Sequence, residues 1–175
     1  PGMTSEDVAA RPGFHIGPHR FEAPRLEPAL YVVATPIGNL GDVTIRALET
    51  LAGADLIACE DTRVTRVLVD RYGIRGKLSA YHEHNAAAER PRLLAALAEG
   101  RSVALVSDAG TPLLSDPGYR LVQSVIEAGH RVVPLPGASA LLAGLVVSGL
   151  PTDTVLFAGF LPTRSEARRH RAEEL

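Results

Sequence analysis

From Leu30 onward, short apolar runs alternate with stretches of helical period. LYVVAT (Leu30 to Thr35), DLIACE (Asp55 to Glu60), KLSAYH (Lys77 to His82), SVALVS (Ser102 to Ser107) and RVVPLP (Arg131 to Pro136) are brief and rich in β-branched or aliphatic residues. They lack the in/out alternation of a half-exposed strand, so they predict strands covered on both faces, as in a parallel sheet. Between them, DVTIRALETLAG sets Val43, Ala47, Leu48 and Leu51 on one helical stripe, and YRLVQSVIEAG does so with Leu121, Val122, Val125 and Ile126. TRVTRVLVDRYG, AAAERPRLLAALAEG and ASALLAGLVVSG complete the helical set, the last apolar nearly all round. Pro91 belongs in the first turn of its helix or at the start of a second short one. Each helical stretch closes on a glycine: Gly53, Gly73, Gly100, Gly129 and Gly149. That residue suits the left-handed position that follows a helix. Residues 29–149 therefore predict one doubly wound α/β domain around a mainly parallel five-stranded sheet.

The flanks read differently. Residues 1–28 hold no sustained period and predict a flexible N-terminal arm. Residues 150–175 predict a linker, a strand in TVLFAGF, and a charged helix opened by a Thr163/Glu166 capping box. One strand and one helix cannot bury a core of their own, so they predict the start of an incomplete second α/β domain.

Composition adds limits. Hydrophobic residues make up 46% of the 175, enough for a real core. A net charge of -2 gives no global field for nucleic acid, while leaving room for a local basic patch. The single Cys59 excludes an intramolecular disulfide and a cysteine metal site; inside DLIACE it reads as a small core residue. No stretch is long and apolar enough to span a bilayer, and no secretory signal opens the chain, so the expected location is the cytoplasm with no membrane partner.

Ligands of open parallel sheets bind beyond the carboxyl ends of the strands. All five predicted exits are polar or rich in Gly and Pro: TPIGNLGD, EDTR, HEHN, SDAGTPLLSDPG and PGASA. In the first, Pro36 and Gly38 shape a rigid loop, and Asn39 or Asp42 caps the helix near Val43. In the second, Asp61 is a helix cap or a functional carboxylate, and Arg63 a surface charge or an anion contact. In the third, His82 and His84 are general bases, phosphate contacts or plain exposed residues; two histidines alone make a weak metal signal, and no metal is expected. In the fourth, Asp108 offers an acceptor for an ammonium or hydroxyl group beside the small Ala109 and Gly110. Ser115 and Asp116 read as the cap and first turn of the next helix. In the fifth, small residues permit either close packing or backbone approach to a ligand. No G-x-G, P-loop or G-x-S-x-G stands anywhere in the chain, so the common dinucleotide, phosphate and hydrolase signatures are missing.

Taken in order and spacing, TPIGNLGDVTIRALETL, CEDTRVT, YHEHN, VSDAGTPLLSDPG, PLPGASA and GFLP resemble the tetrapyrrole methylase fold family. The likeness is to its branch of 2′-O-ribose methyltransferases acting on a cytidine of 16S rRNA. The resemblance covers Leu30 to about Arg164 and implies S-adenosyl-L-methionine as cofactor, the small ribosomal subunit as partner and a homodimer as assembly. It maps cofactor contacts onto Asp108, Ala109, Gly110, Thr111, Gly137, Ala138 and Ser139. Thr35, Pro36, Gly38, Asn39, Arg63 and Asn85 fall on the substrate side. His82, His84, Glu60 and Asp61 are the candidates for the base that takes the ribose proton. Arg63, Arg66, Arg164, Arg168, Arg169 and Arg171 are candidate phosphate contacts, the tail arginines alternating with Glu166, Glu173 and Glu174 as on a solvated helix face. Two rival readings stand beside this one: carbon methylation of a small tetrapyrrole, and a non-catalytic module that only binds cofactor or dimerises.

Overall fold

A computed structural model describes residues 11–113 and 118–175. The first described strands depart from the expected flexible arm. Strands β1 (Gly13–Ile16) and β2 (His19–Glu22) pair antiparallel, with Phe14 opposite Phe21. Phe14 is 1% exposed and stacks on Phe21 at 5.5 Å between ring centroids. The His15 N–H donates to the Tyr72 carbonyl at 2.7 Å, tying the hairpin to the main body. One buried ring and one cross-link order this stretch, too little apolar material to register as a period.

The five predicted strands then follow: β3 (Leu30–Val33), β4 (Leu56–Cys59), β5 (Leu78–Ala80), β6 (Val103–Val106) and β7 (Val132–Leu135). They form one sheet in the order β5-β4-β6-β3-β7, and every pairing is parallel. Helices α1 (Ile45–Gly53), α2 (Thr62–Arg71), α3 (Ala86–Ala98) and α4 (Gly118–Glu127) alternate with them. The path runs β3 to β4 to β5 in one direction and β5 to β6 to β7 in the other. Right-handed crossovers then send α1 and α2 to one face and α3 and α4 to the opposite face. The burial pattern agrees, since successive residues of a strand point to opposite faces. Tyr31 and Val33 join Leu48, Leu51, Leu68 and Val69 on one side. Leu30 and Val32 join Leu93, Leu97, Leu121 and Val125 on the other. The doubly wound five-stranded sheet is the one the apolar runs predict.

Several local expectations need correction. α3 is continuous through Pro91, which lies beyond the first turn and does not start a second helix. Gly53 is the last residue of α1 and keeps an ordinary φ; a Cβ there would lie 2.6 Å from the Pro24 carbonyl oxygen, so close approach of the chain, not a left-handed cap, demands glycine. Thr44, not Asn39 or Asp42, caps α1, its hydroxyl accepting from the Ala47 N–H at 3.0 Å. Ser115 and Asp116 lie outside the described residues.

Leu141–Leu175 forms a compact unit separate from the one that ends at Ala140. α5 (Ala140–Val147) is apolar throughout and buries none of its residues. The strand expected in TVLFAGF is not formed, because residues 154–160 find no ladder partner among the described residues. α6 (Ser165–Glu174) starts one residue later than the capping box requires. Arg164 is its N-cap, without a side-chain bond, so Glu166 falls one place short of the reciprocal position. No helix among the described residues is long and apolar enough to cross a membrane.

Candidate active site

The connections leave β4 toward β5 and β6 toward β7, so the two exits diverge and open a crevice between these neighbouring strands. Hydrogen bonds cross the carboxyl edge there and continue along it. The Asp61 N–H, just past β4, donates to Asp108 Oδ1, just past β6, at 2.9 Å. Thr35, past β3, exchanges two backbone bonds with Gly110: Thr35 N–H to Gly110 O at 2.9 Å and Gly110 N–H to Thr35 O at 3.0 Å. The Thr35 hydroxyl donates to the Ser107 carbonyl at 3.2 Å. The Thr111 hydroxyl donates to the Ala138 carbonyl at 3.3 Å, reaching the loop past β7. Four exit loops are thus stitched together, with the loop past β6 bonded to the loops past β4, β3 and β7. Gly110 takes φ +79°, a conformation costly to any residue with a Cβ, and its turn brings the fourth loop onto the first. Gly137 serves close packing, since a Cβ would lie 2.8 Å from that of Ala34.

The base candidates separate in this frame. Glu60 is exposed at the crevice itself, directly after β4. Asp61 is committed elsewhere. It caps α2, accepting from the Arg63 N–H at 2.8 Å, and its carboxylate grips the Arg63 guanidinium at 2.6 Å. The side-chain bond from Arg63, reinforced by the Arg63 backbone N–H, holds the Asp61 carboxyl down to about 2. A group that binds protons so weakly is a poor general base near neutral pH. His82 and His84 follow β5, the edge strand, one strand farther from the crevice than Glu60. Their rings meet edge to face at 6.0 Å, and His82 Nδ1 is buried without a partner.

The substrate-side candidates are mostly occupied in shaping their own loops. Asn85 braces HEHN, accepting from the His82 N–H at 2.8 Å and donating to the Ala80 carbonyl at 2.9 Å. Asn39 accepts from the Gly41 N–H at 3.0 Å, closing the single turn Leu40–Asp42. Pro36 is buried and Gly38 exposed. Arg63 is paired with Asp61 while its side chain stays 88% exposed to solvent. On the other loops Ala109 and Gly137 are exposed, and Gly110 is buried. Cys59 is fully buried and burial pushes its thiol up, so it is a core residue with no nucleophilic role. Among the described residues no group of three His, Cys, Asp or Glu is placed to hold a metal ion.

One feature of the edge escapes the sequence pattern. A cavity of about 240 Å³ opens between α2 and the loops past β3 and β6, walled by Pro36, Leu40, Val64 and Val67, with Thr35 and Asp108 among its polar groups. Val64 and Val67 sit one helical turn apart on α2, and they are 42% and 59% exposed.

Residues 29–175 match the family model described as tetrapyrrole (corrin/porphyrin) methylases. The chain belongs to the tetrapyrrole methylase family. A Mesorhizobium japonicum relative, "Ribosomal RNA small subunit methyltransferase I", is 65% identical over 160 residues, 91% of this chain and 54% of that protein. A Haemophilus influenzae relative of the same name is 53% identical over 146 residues, 83% of this chain and 52% of that protein. Among solved structures, the uroporphyrin-III-C-methyltransferase of Thermus thermophilus superposes with a TM-score of 0.56 at 26% identity, covering 71% of this chain and 54% of that one. The chain spans about half the length of the curated relatives it matches. Membership of a methylase family implies a methyl donor.

Proposed function

We propose that the chain is part of an enzyme that methylates the ribose 2′-oxygen of a cytidine in 16S rRNA, with S-adenosyl-L-methionine as donor. We further propose that it works on the small ribosomal subunit, in the cytoplasm, as a homodimer. The observation that carries this reading is the 65% identity to a relative named as a small-subunit rRNA methyltransferase, against 26% to a tetrapyrrole enzyme of the same fold.

The residues present suit such a donor. One Asp108 oxygen is bound to the Asp61 N–H, and an ionised carboxylate retains further acceptor sites for an ammonium or hydroxyl group. Ala109 and Gly137 expose main chain with little or no side chain to bar approach. Asp108, Ala109, Gly110, Thr111, Gly137, Ala138 and Ser139 are therefore the proposed holding set. The donor supplies a methyl group already activated by its sulfonium. The protein's own task is alignment, and exit loops cross-bonded through the loop past β6 provide a rigid frame for it. Glu60, exposed at the crevice, is the proposed acceptor of the ribose proton, with His82 and His84 as alternatives farther along the edge. Arg66, exposed on α2, is a proposed phosphate contact.

The test is methyl transfer. The gene product containing this chain is incubated with tritiated S-adenosylmethionine and either 30S particles or uroporphyrinogen. Label in 16S rRNA is expected, reduced by Glu60→Gln. Label in the porphyrin, or none in either, refutes the reading.

A further inference from the structure

We propose that Tyr81, His82 and Arg90 form a seat for a phosphate group at the exit of β5, and that the RNA backbone supplies the phosphate. This rests on the reading of the chain as an RNA methyltransferase and adds a contact that holds the substrate rather than one that reacts with it.

Unmet hydrogen bonding is the first argument. Among the described residues four buried side-chain polar atoms lack a hydrogen-bond partner, and three of them are Tyr81 OH, His82 Nδ1 and Arg90 Nε. Buried polar groups ordinarily have partners, so three orphans around one loop point to a ligand. Tyr81 is only 2% exposed, and a buried tyrosine hydroxyl usually finds a bond. Convergence is the second argument. Tyr81 and His82 directly follow β5, and α3 begins at Ala86. Ala86, Arg90, Leu93 and Leu97 recur at helical spacing, so Arg90 interrupts the stripe that α3 buries. Ala86, Leu93 and Leu97 share one buried cluster with Tyr81. Side chains of a helix lean toward its N-terminus, which carries Arg90 back over Ala86 toward the β5 exit. Charge is the third. The adjacent carboxylate, Glu89, turns both oxygens to Arg92 at 2.9 Å, and no ion pair reaches Arg90 among the described residues. An arginine without a counterion presents a fork of N–H donors that matches phosphate oxygens. The tyrosine hydroxyl donates as well, and so does Nδ1 of a protonated imidazole. Donors from three side chains suit an anion with several oxygens. Position decides the source. β5 pairs with β4, and paired strands lie about 4.8 Å apart. A phosphate at this exit therefore belongs to the same short stretch of RNA as a ribose at the crevice beside Glu60.

Proton–nitrogen NMR of the chain, read at the His82 ring and the Arg90 Nε–H, tests this with three probes. They are the dinucleotide cytidylyl-cytidine, its methylphosphonate analogue with an uncharged linkage, and inorganic phosphate. The dinucleotide is expected to shift both signals and the analogue neither; inorganic phosphate, which shares the chemistry, shifts them too. Shifts from inorganic phosphate with none from the dinucleotide assign the seat to a free anion and overturn the RNA source. Equal shifts from dinucleotide and analogue, or none from any probe, overturn the seat itself. Arg90→Gln should abolish the dinucleotide shift at His82. Tyr81→Phe keeps the ring in the core, removes only the hydroxyl, and should weaken dinucleotide binding about fivefold. In the gene product containing this chain, Arg90→Gln should raise KM for 30S particles about tenfold with kcat within about twofold of the parent, because a contact that only holds substrate is equal in ground and transition states. An unchanged KM, or a fall in kcat alone, overturns the proposal; if Arg90→Gln does not fold, Tyr81→Phe carries the same test. Failure of the function itself is separable: the parent protein then transfers no methyl group to 30S particles, whatever the dinucleotide does at His82.

Discussion

Asp108 is the pin of the carboxyl edge, and its removal gives the sharpest structural prediction. Asp108→Ala deletes the acceptor of the Asp61 N–H, which now closes at 2.9 Å. A hydrogen bond to a charged acceptor contributes about 1.5–3 kcal/mol. Asp108 is only half-buried, so water can replace part of the lost bond and the lower end applies, about 1.5 kcal/mol. For a chain of this size each kcal/mol lowers Tm by about 2–4 °C, so a fall of about 3–6 °C is expected by calorimetry. Asp108→Asn keeps an acceptor oxygen of the same shape and loses only the charge. It should recover most of the difference, since a neutral hydrogen bond still contributes about 1 kcal/mol. Amide exchange reads the bond itself: Asp61 N–H is slow in the parent and in Asp108→Asn, and fast in Asp108→Ala. An alanine variant that melts within a degree of the parent, with Asp61 exchange unchanged, refutes the clamp.

Other outcomes follow from named contacts. Phe14→Ala should cost about 3 kcal/mol or more in urea unfolding, because a ring 1% exposed is deleted; a loss below about 1 kcal/mol would show that the hairpin contributes nothing to the core. Gly137→Ala forces a Cβ to 2.8 Å from Ala34 Cβ and should destabilise by about 1–3 kcal/mol, read by the same assay; a neutral variant would show that the loop shifts freely. The Asp61 carboxyl is held at about 2, below its unfolded value near 4, so its support of the α2 start is complete above about pH 4 and fades as pH falls toward 2. NMR titration of the Arg63 amide should report that step, and Asp61→Asn should abolish it; a midpoint near 4 would refute the pairing.

The sheet was legible because its three central strands, β3, β4 and β6, are buried on both faces, so VALV and LIAC stand out as unbroken apolar runs with no alternation to misplace. The N-terminal hairpin was not, because Phe14 alone of its eight strand residues is buried, and a single side chain makes no period. TVLFAGF carries strand composition without a strand, since a ladder needs a partner that composition does not name. At the site, the exit loops were legible as a group, and the switch point explains why their chemistry gathers at one edge. Individual roles were less so. Asp61 and Asn85 bear the same side chains whether they meet substrate or their own loop; only the bonds to Arg63, His82 and Ala80 decide. The cavity went unread because Val64 and Val67 obey the helical spacing of a core stripe. Their exposure depends on how α2 meets the loops past β3 and β6, a matter of tertiary packing.

The proposed role of this stitched edge is methyl transfer to a ribose of the small-subunit RNA. Mass spectrometric mapping of nuclease digests tests it most directly, using 30S particles treated with S-adenosylmethionine and the gene product containing this chain. A single 2′-O-methylcytidine in 16S rRNA is expected, lost with Asp108→Ala and strongly reduced with Glu60→Gln. A methyl group on a base carbon or ring nitrogen, or no modified nucleotide alongside a methylated tetrapyrrole, would contradict it.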